Sequence, residues 1–124
     1  MALEEFAGAI VFEIDGQEIE VVDLSVTTKT GRKLVKTMNR SGRAKGFAKG
    51  VTEYDISLTA VIPLTGDIDW ESIENAKVTI YPVDPAGKRI TYRDCFVTET
   101  GEKYSVENEA RRDIKLNALD KVEE

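Results

Sequence analysis

The sequence contains no histidine among its 124 residues. That absence removes Ser-His-Asp and Cys-His catalysis, the common zinc sites and the usual near-neutral proton shuttle. Cysteine is nearly absent too. Cys95 stands alone, so no intrachain disulfide and no CxxC motif can form. It lies in the apolar-leaning stretch Ile90 to Val97, which points to a buried, inert thiol rather than a nucleophile. Long apolar runs are missing as well. The longest unbroken run of apolar residues or glycine is Phe6 to Phe12, far short of a membrane span. The opening Met-Ala-Leu-Glu-Glu lacks the basic and apolar regions of a secretory signal. The expectation is a soluble protein made and kept in the cytoplasm until it assembles.

Enough apolar residues remain, at 41% of the chain, to build a core, and 124 residues suit one domain spanning 1–124. Charge is plentiful and unevenly spread. Acids exceed bases by 23 to 17, a net −6. Yet the segment from Lys29 to Gly50 holds eight bases (Lys29, Arg32, Lys33, Lys36, Arg40, Arg43, Lys45, Lys49) and no acid. With +8 in that segment, the other 102 residues carry −14. An acidic body with one basic arm is a polarity that serves interaction.

Hydropathy alternates along most of the chain. Ile10, Phe12 and Ile14 share one face, and Asp15-Gly16 follows, a dipeptide favoured in type I′ hairpin turns. Gln17 to Thr28 reads as one long strand whose apolar phase slips at Val21-Val22, as a β-bulge would require. From Gly31 to Gly50 the pattern fails. Glycines stand at 31, 42, 46 and 50, Leu34, Val35 and Met38 offer at most a helical turn or strand stub, and Gly42–Gly50 is too glycine-rich for either. Tyr54, Ile56, Leu58, Ala60 and Ile62 then alternate strictly with Asp55, Ser57 and Thr59.

Asp67 to Ala76 is the helix candidate, with Asp69 as N-cap and Ile68 and Ile73 as a hydrophobic staple around Trp70. Strands are expected over Lys77–Val83, Lys88–Thr98 and Tyr104–Leu119, separated by turns at Asp84-Pro85-Ala86-Gly87 and Thr100-Gly101-Glu102. The last strand has a polar middle that bulges or breaks, and Asp120–Glu124 is read as a charged surface tail. Trp70, Tyr54, Tyr92, Phe96, Phe12 and Tyr104 are assigned to the core by phase, whereas Tyr81 falls on the opposite face as a contact residue. The chain is thus mainly β: a small antiparallel β-barrel or sandwich with one short helix and a long basic loop.

No reactive constellation survives inspection. Gly42 to Gly50 lacks the Gly-Lys-Ser/Thr that a phosphate loop needs at a helix start, and a strand follows it. The pairs Asp67/Asp69 and Glu107/Glu109 are what acids at nearly a fifth of positions produce by chance. No catalytic residue, metal ligand or cofactor is assigned. The arm itself has three readings. It could neutralise nucleic-acid phosphates, with Phe47 stacking on a base. It could meet the acidic body of an identical neighbour, a heterologous contact that makes rings or filaments. It could be a solvated loop. The single aromatic and the −14 body favour the protein partner.

The opening hairpin, the basic arm Thr37–Gly50, the strand Val51–Pro63 that follows it, and the short helix with returning strands together resemble the tail tube proteins of long-tailed bacteriophages, especially the contractile, Mu-like kind. The resemblance covers essentially the whole chain. It implies a non-enzymatic structural subunit, six copies to a ring, with rings stacked into a hollow tube for DNA passage. It implies partners in identical subunits, a tape-measure protein, sheath and baseplate or terminator proteins. DNA would pass without specific binding, in a virion tail assembled in the host cytoplasm. By position, residues 29–50 become the inter-subunit arm, with Arg40, Arg43, Lys45 and Lys49 on acidic neighbouring surface and Phe47 as an apolar anchor. Some of Glu13, Glu18, Glu20, Asp23 and Asp55 are expected to line the lumen, where like charge keeps DNA sliding. The runner-up is the ring protein of a related injection machine, type VI or phage-derived. A basic-arm nucleic-acid-binding module is the reading from another class.

Overall fold

The computed structural model describes residues 3–6, 8–83 and 87–123. Ten strands follow in order: β1 (Ile10–Ile14), β2 (Gln17–Ile19), β3 (Val21–Lys29), β4 (Lys33–Val35), β5 (Gly46–Ala48), β6 (Glu53–Val61), β7 (Ala76–Pro82), β8 (Ile90–Lys103), β9 (Arg111–Ala118) and β10 (Asp120–Glu123). Every pairing is antiparallel. The long β8 is shared by two sheets. Its first half lies between β7 and β10 in a sheet ordered β2-β1-β7-β8-β10, and its second half begins a sheet ordered β8-β9-β6-β3. Phe12, Ile14, Val78 and Tyr92 from the first sheet meet Ile56, Leu58, Ile114 and Leu116 from the second in one buried core. The arrangement is sandwich-like, and among the described residues it does not close into a barrel. Even so, β2 and β3, at opposite ends of the strand path, are consecutive in the chain and separated by Glu20 alone.

Local chemistry accounts for much of this. Asp15 and Gly16 both take positive φ, 50° and 83°, as a type I′ turn requires. The phase slip at Val21-Val22 is a bulge: the β3–β6 register shifts between Val21 and Asp23. Val22 is the extra residue and turns to solvent, leaving Val21, Leu24 and Val26 half-buried against the core. Glu20 interrupts what reads as one strand, so β2 can stay in one sheet while β3 joins the other.

Elsewhere the structure departs from the sequence reading. The helix expected over 67–76 contracts to one 3-10 turn at Trp70–Ser72. The Asp69 side chain caps nothing, and Ile73 is extended, its carbonyl accepting from the Val97 amide at 3.2 Å. Trp70 does plug the core, at 4% exposure. The turn expected at Thr100-Gly101-Glu102 is instead strand, because all three residues find partners on β9. Asp120–Glu123 is not a free tail but β10, which occupies the side of β8 left open where β9 ends. Tyr104 and Val106, phased with β9 in the sequence, lie exposed in the loop before it.

Phe96 moves off the core face. Asp94 adopts φ 54° and the β7–β8 register shifts there, so Cys95 and Val97 turn inward and Phe96 outward. Of the expected Asp84-Pro85-Ala86-Gly87 turn, residues 84–86 lie outside the described residues.

Candidate inter-subunit interface

The basic segment is a built element rather than a structureless loop. β4 and β5 pair with each other alone, Leu34 opposite Phe47, so the arm is a hairpin that stands off both main sheets. This corrects the expectation that Gly42–Gly50 holds no strand. Gly46-Phe47-Ala48 needs no strong propensity of its own, because β4 supplies its hydrogen-bonding partner. Two glycines pinch the neck. Gly31 has φ 79°, and a Cβ placed on it would run into the Val51 backbone. A Cβ on Gly50 would run into the Gly31 carbonyl.

At the tip, Asn39 acts as a scaffold. Its Nδ2 donates to the Arg43 carbonyl at 2.9 Å, and its Oδ1 accepts from the Ser41 amide at 3.0 Å. Its carbonyl accepts from the Gly42 amide at 3.2 Å. The Asn-x-Ser-Gly spacing carried that signal in the sequence, masked by the surrounding bases.

All nine predicted arm residues are exposed: Lys29, Arg32, Lys33, Lys36, Arg40, Arg43, Lys45, Phe47 and Lys49. Only Lys29, at the root, pairs with the body, 3.1 Å from Asp55. The other seven cations form no ion pair among the described residues. The arm also leaves Leu34, Met38 and Phe47 uncovered, at 67%, 103% and 60% exposure. An element so charged and so apolar at once finds no partner for these side chains among the described residues.

The five predicted lumen acids do not share one face. Asp23 and Asp55 lie on the outer face of the β8-β9-β6-β3 sheet, the side away from buried Ile56, Leu58, Ile114 and Leu116. On its two central strands that face is polar except at Val61. Ser57, Thr59, Asp113, Lys115 and Asn117 cover it, with Thr59 Oγ1 donating to Asp113 at 2.9 Å and Lys115 lying 3.6 Å from Glu99. Glu13 and Glu18 are cross-strand partners on β1 and β2 of the other sheet. Glu13 is half-buried and accepts the Tyr81 hydroxyl at 2.6 Å, which holds that hydroxyl above its ordinary pKa. The Arg89 guanidinium covers the Tyr81 ring at 4.8 Å. Glu20 sits at the step between the sheets.

The second sheet ends in two open edges. Among the described residues β3 has no strand on its outer side. Beyond Val97, the second half of β8 is paired only by β9 among the described residues. Sequence periodicity could not find these edges, since it reports faces and not neighbours. No group of three metal-ligating side chains occurs among the described residues.

Open sheet edges, a protruding charged hairpin and a two-sided sheet define a structural subunit built for association with other chains. The family of phage tail tube proteins matches residues 3–119, and the chain belongs to that family as a tail tube subunit. No curated protein matches it in sequence. Among solved structures, it is similar to a chain of the sheath/tube terminator of an extracellular contractile injection system (PVC). The TM-score is 0.76 at 16% identity, over 99% of both chains. It is also similar to the SPP1 tail tube, with TM-score 0.66 and 13% identity over 92% of this chain and 74% of that one. Hcp1 from Flavobacterium johnsoniae gives TM-score 0.61 and 13% identity over 95% and 94%. At these identities the likeness is one of fold.

Proposed function

We propose that the chain, acting as one unit over residues 1–124, polymerises as stacked six-membered rings into a hollow conduit through which DNA passes. The observation that carries this reading is the four-stranded sheet with two open edges. Its strands alternate in direction, so β3 and β8 run oppositely. A copy rotated about a ring axis brings its β3 beside the β8 of its neighbour with the strands antiparallel, the pairing every other strand here uses. Repeating that contact joins the sheets and removes their edges. The largely polar outer face, with Asp23 and Asp55, then lines the bore and offers DNA no strongly basic surface to hold it.

The residues 29–50 arm links one ring to the next. Other partners are a tape-measure protein, a sheath and terminator or baseplate proteins, in keeping with similar folds found in a sheath–tube complex and a baseplate. The subunit works by shape and has no catalytic step, cofactor or metal, and its place is the virion tail, assembled in the host cytoplasm. The likeness to an injection-system terminator and to Hcp1 supports a second reading, a conduit of a related contractile particle with protein as cargo.

Negative-stain microscopy of the purified protein at rising concentration tests the reading. Rings and then tubes are expected. Persistent monomers that bind DNA with a steep salt dependence would instead establish a basic-arm nucleic-acid module.

A further inference from the structure

The open edge of β8 begins only after Val97, and the segment before β7 is the cause. On that side of β8 the β7 pairing ends with Ala76 opposite Cys95. One more rung follows, the Val97 amide donating to the Ile73 carbonyl at 3.2 Å. Residues 67–73 then run back along the rest of the edge without a further backbone bond to it among the described residues. At their far end Asp67 meets Arg112 at 2.7 Å, and Arg112 meets Glu102 of β8 at 3.4 Å. Between these two ties a cavity of about 320 Å³ separates the strap from Thr100 and Glu102.

The strap keeps its own amides occupied. Those of Trp70, Ser72 and Ile73 donate to the carbonyls of Ile68, Asp69 and Trp70, at 3.0, 3.3 and 3.3 Å. A single 3-10 turn with bonds of that length resists unwinding only weakly.

The strap is also in register with the edge it leaves open. Extending the Ile73–Val97 rung in the antiparallel sense sets Trp70 opposite Thr100, Asp69 opposite Gly101 and Ile68 opposite Glu102. Thr100 and Glu102 lie on the core side of β8, because their β9 partners are buried Ile114 and Arg112, the latter opposite buried Ala60. Ile68, Trp70 and Ile73 already pack on the core. Closing the gap therefore turns no side chain from one face to the other. It does bring Glu71 opposite Glu99, a like-charge pair that adds to the hold of Arg112 on the open form.

We infer that residues 67–73 form a strap that closes on the β8 edge of its own chain and competes there with the β3 of a neighbour, with Arg112 as the positioning residue that holds it open. This regulation rests on the tail tube reading, in which that edge joins the ring. Open, as here, the strap leaves the outer side of Thr98–Lys103 to another subunit. Closed, it caps within the chain an edge that otherwise invites indiscriminate pairing.

The first test is amide exchange on the monomer. Arg112→Ala should slow exchange across Thr98–Lys103 by about threefold or more, and Arg112→Lys, which keeps a cation beside Asp67, should match the wild type. Loss of a merely structural tie would speed exchange there instead. The second test uses the full chain with Asp69→Cys and Gly101→Cys in a Cys95→Ser background. Asp69 is exposed, and a Cβ on Gly101 meets nothing within 4 Å, so both positions accept the change. Closure brings the two into disulfide range. Oxidation of the dilute monomer should consume both thiols without a dimer and raise the concentration needed for rings by about tenfold or more, and reduction should reverse this. Unchanged or faster exchange in Arg112→Ala, thiols that stay free, or oxidised chains that assemble as readily as reduced ones would each overturn the strap and leave the tail tube reading standing. Wild-type chains that form no rings would overturn both that reading and the competition.

Discussion

Cys95 shows how a single residue is governed by its surroundings. It has no exposed surface, its Sγ donates to the Tyr92 carbonyl at 3.4 Å, and burial pushes its pKa up to about 11. Burial also raises Tyr92. A thiol with a folded pKa above its unfolded value contributes stability that is fully present below the unfolded value of about 9 and is lost as pH rises through about 11. Equilibrium urea unfolding should therefore show a loss of roughly 2–3 kcal/mol between pH 8 and pH 11. Replacing Cys95 with Ser should flatten most of that slope. At pH 7.5 the thiol should resist alkylation in the folded chain and react at once in denaturant. Fast labelling of the native protein would contradict the burial.

Arg112 is the other decisive side chain. It is 14% exposed and bridges Asp67 at 2.7 Å and Glu102 at 3.4 Å, tying the loop after β6 to the β8–β9 hairpin. Because both partners are more exposed, Arg112→Ala should cost only about 1–2 kcal/mol, read as a lower urea midpoint with unchanged slope.

Among the elements, the arm depends on its neck more than on its strands. Three-residue strands such as β4 and β5 are too short to persist unaided. The close approach of Gly31 and Gly50 holds their ends together, and the Thr52 hydroxyl donates to the Thr30 carbonyl at 3.3 Å beside it. Gly31→Ala forces a side chain into positive φ and into the Val51 backbone, an effect of about 1 kcal/mol or more confined to the arm. Hydrogen exchange should accelerate across residues 31–50 and stay unchanged in β6 and β9. Uniform acceleration would mean that the arm is coupled to the core more tightly than its pairing shows. At the same scale, the helix expected over 67–76 lacks what a helix needs. Trp70 alone among residues 67–75 is fully buried, and Ile73 is drawn onto the edge of β8.

For the whole molecule, the relevant asymmetry is between the +8 of residues 29–50 and the −14 of the rest. Reversing two of Arg40, Arg43, Lys45 and Lys49 should abolish long tubes while leaving the circular-dichroism spectrum and thermal midpoint of the monomer unchanged, since none of the four forms an ion pair among the described residues. Unchanged tube lengths by electron microscopy would refute an electrostatic role for the arm. The core tolerates far less. Ile114 is fully buried between the sheets, and Ile114→Ala should cost about 2–5 kcal/mol.

The sequence alone determined those features that depend on near neighbours in the chain. Alternation marked β1, β6, β7 and the buried half of β9, the Asp15-Gly16 turn needed only its own backbone preference, and the phase slip at Val21-Val22 exposed the bulge. The arm was legible as a run of one charge. Tertiary structure decided whatever depends on a distant partner. It made β10 from a charged tail and β5 from a glycine-rich stretch, because an unpaired strand elsewhere supplied hydrogen bonds. It turned Phe96 outward through the positive φ of Asp94. It also sorted the five acids onto different surfaces and left two sheet edges open. Side-chain periodicity tells which face of a strand is apolar; which strand lies beside it is set by pairing between residues far apart in the chain.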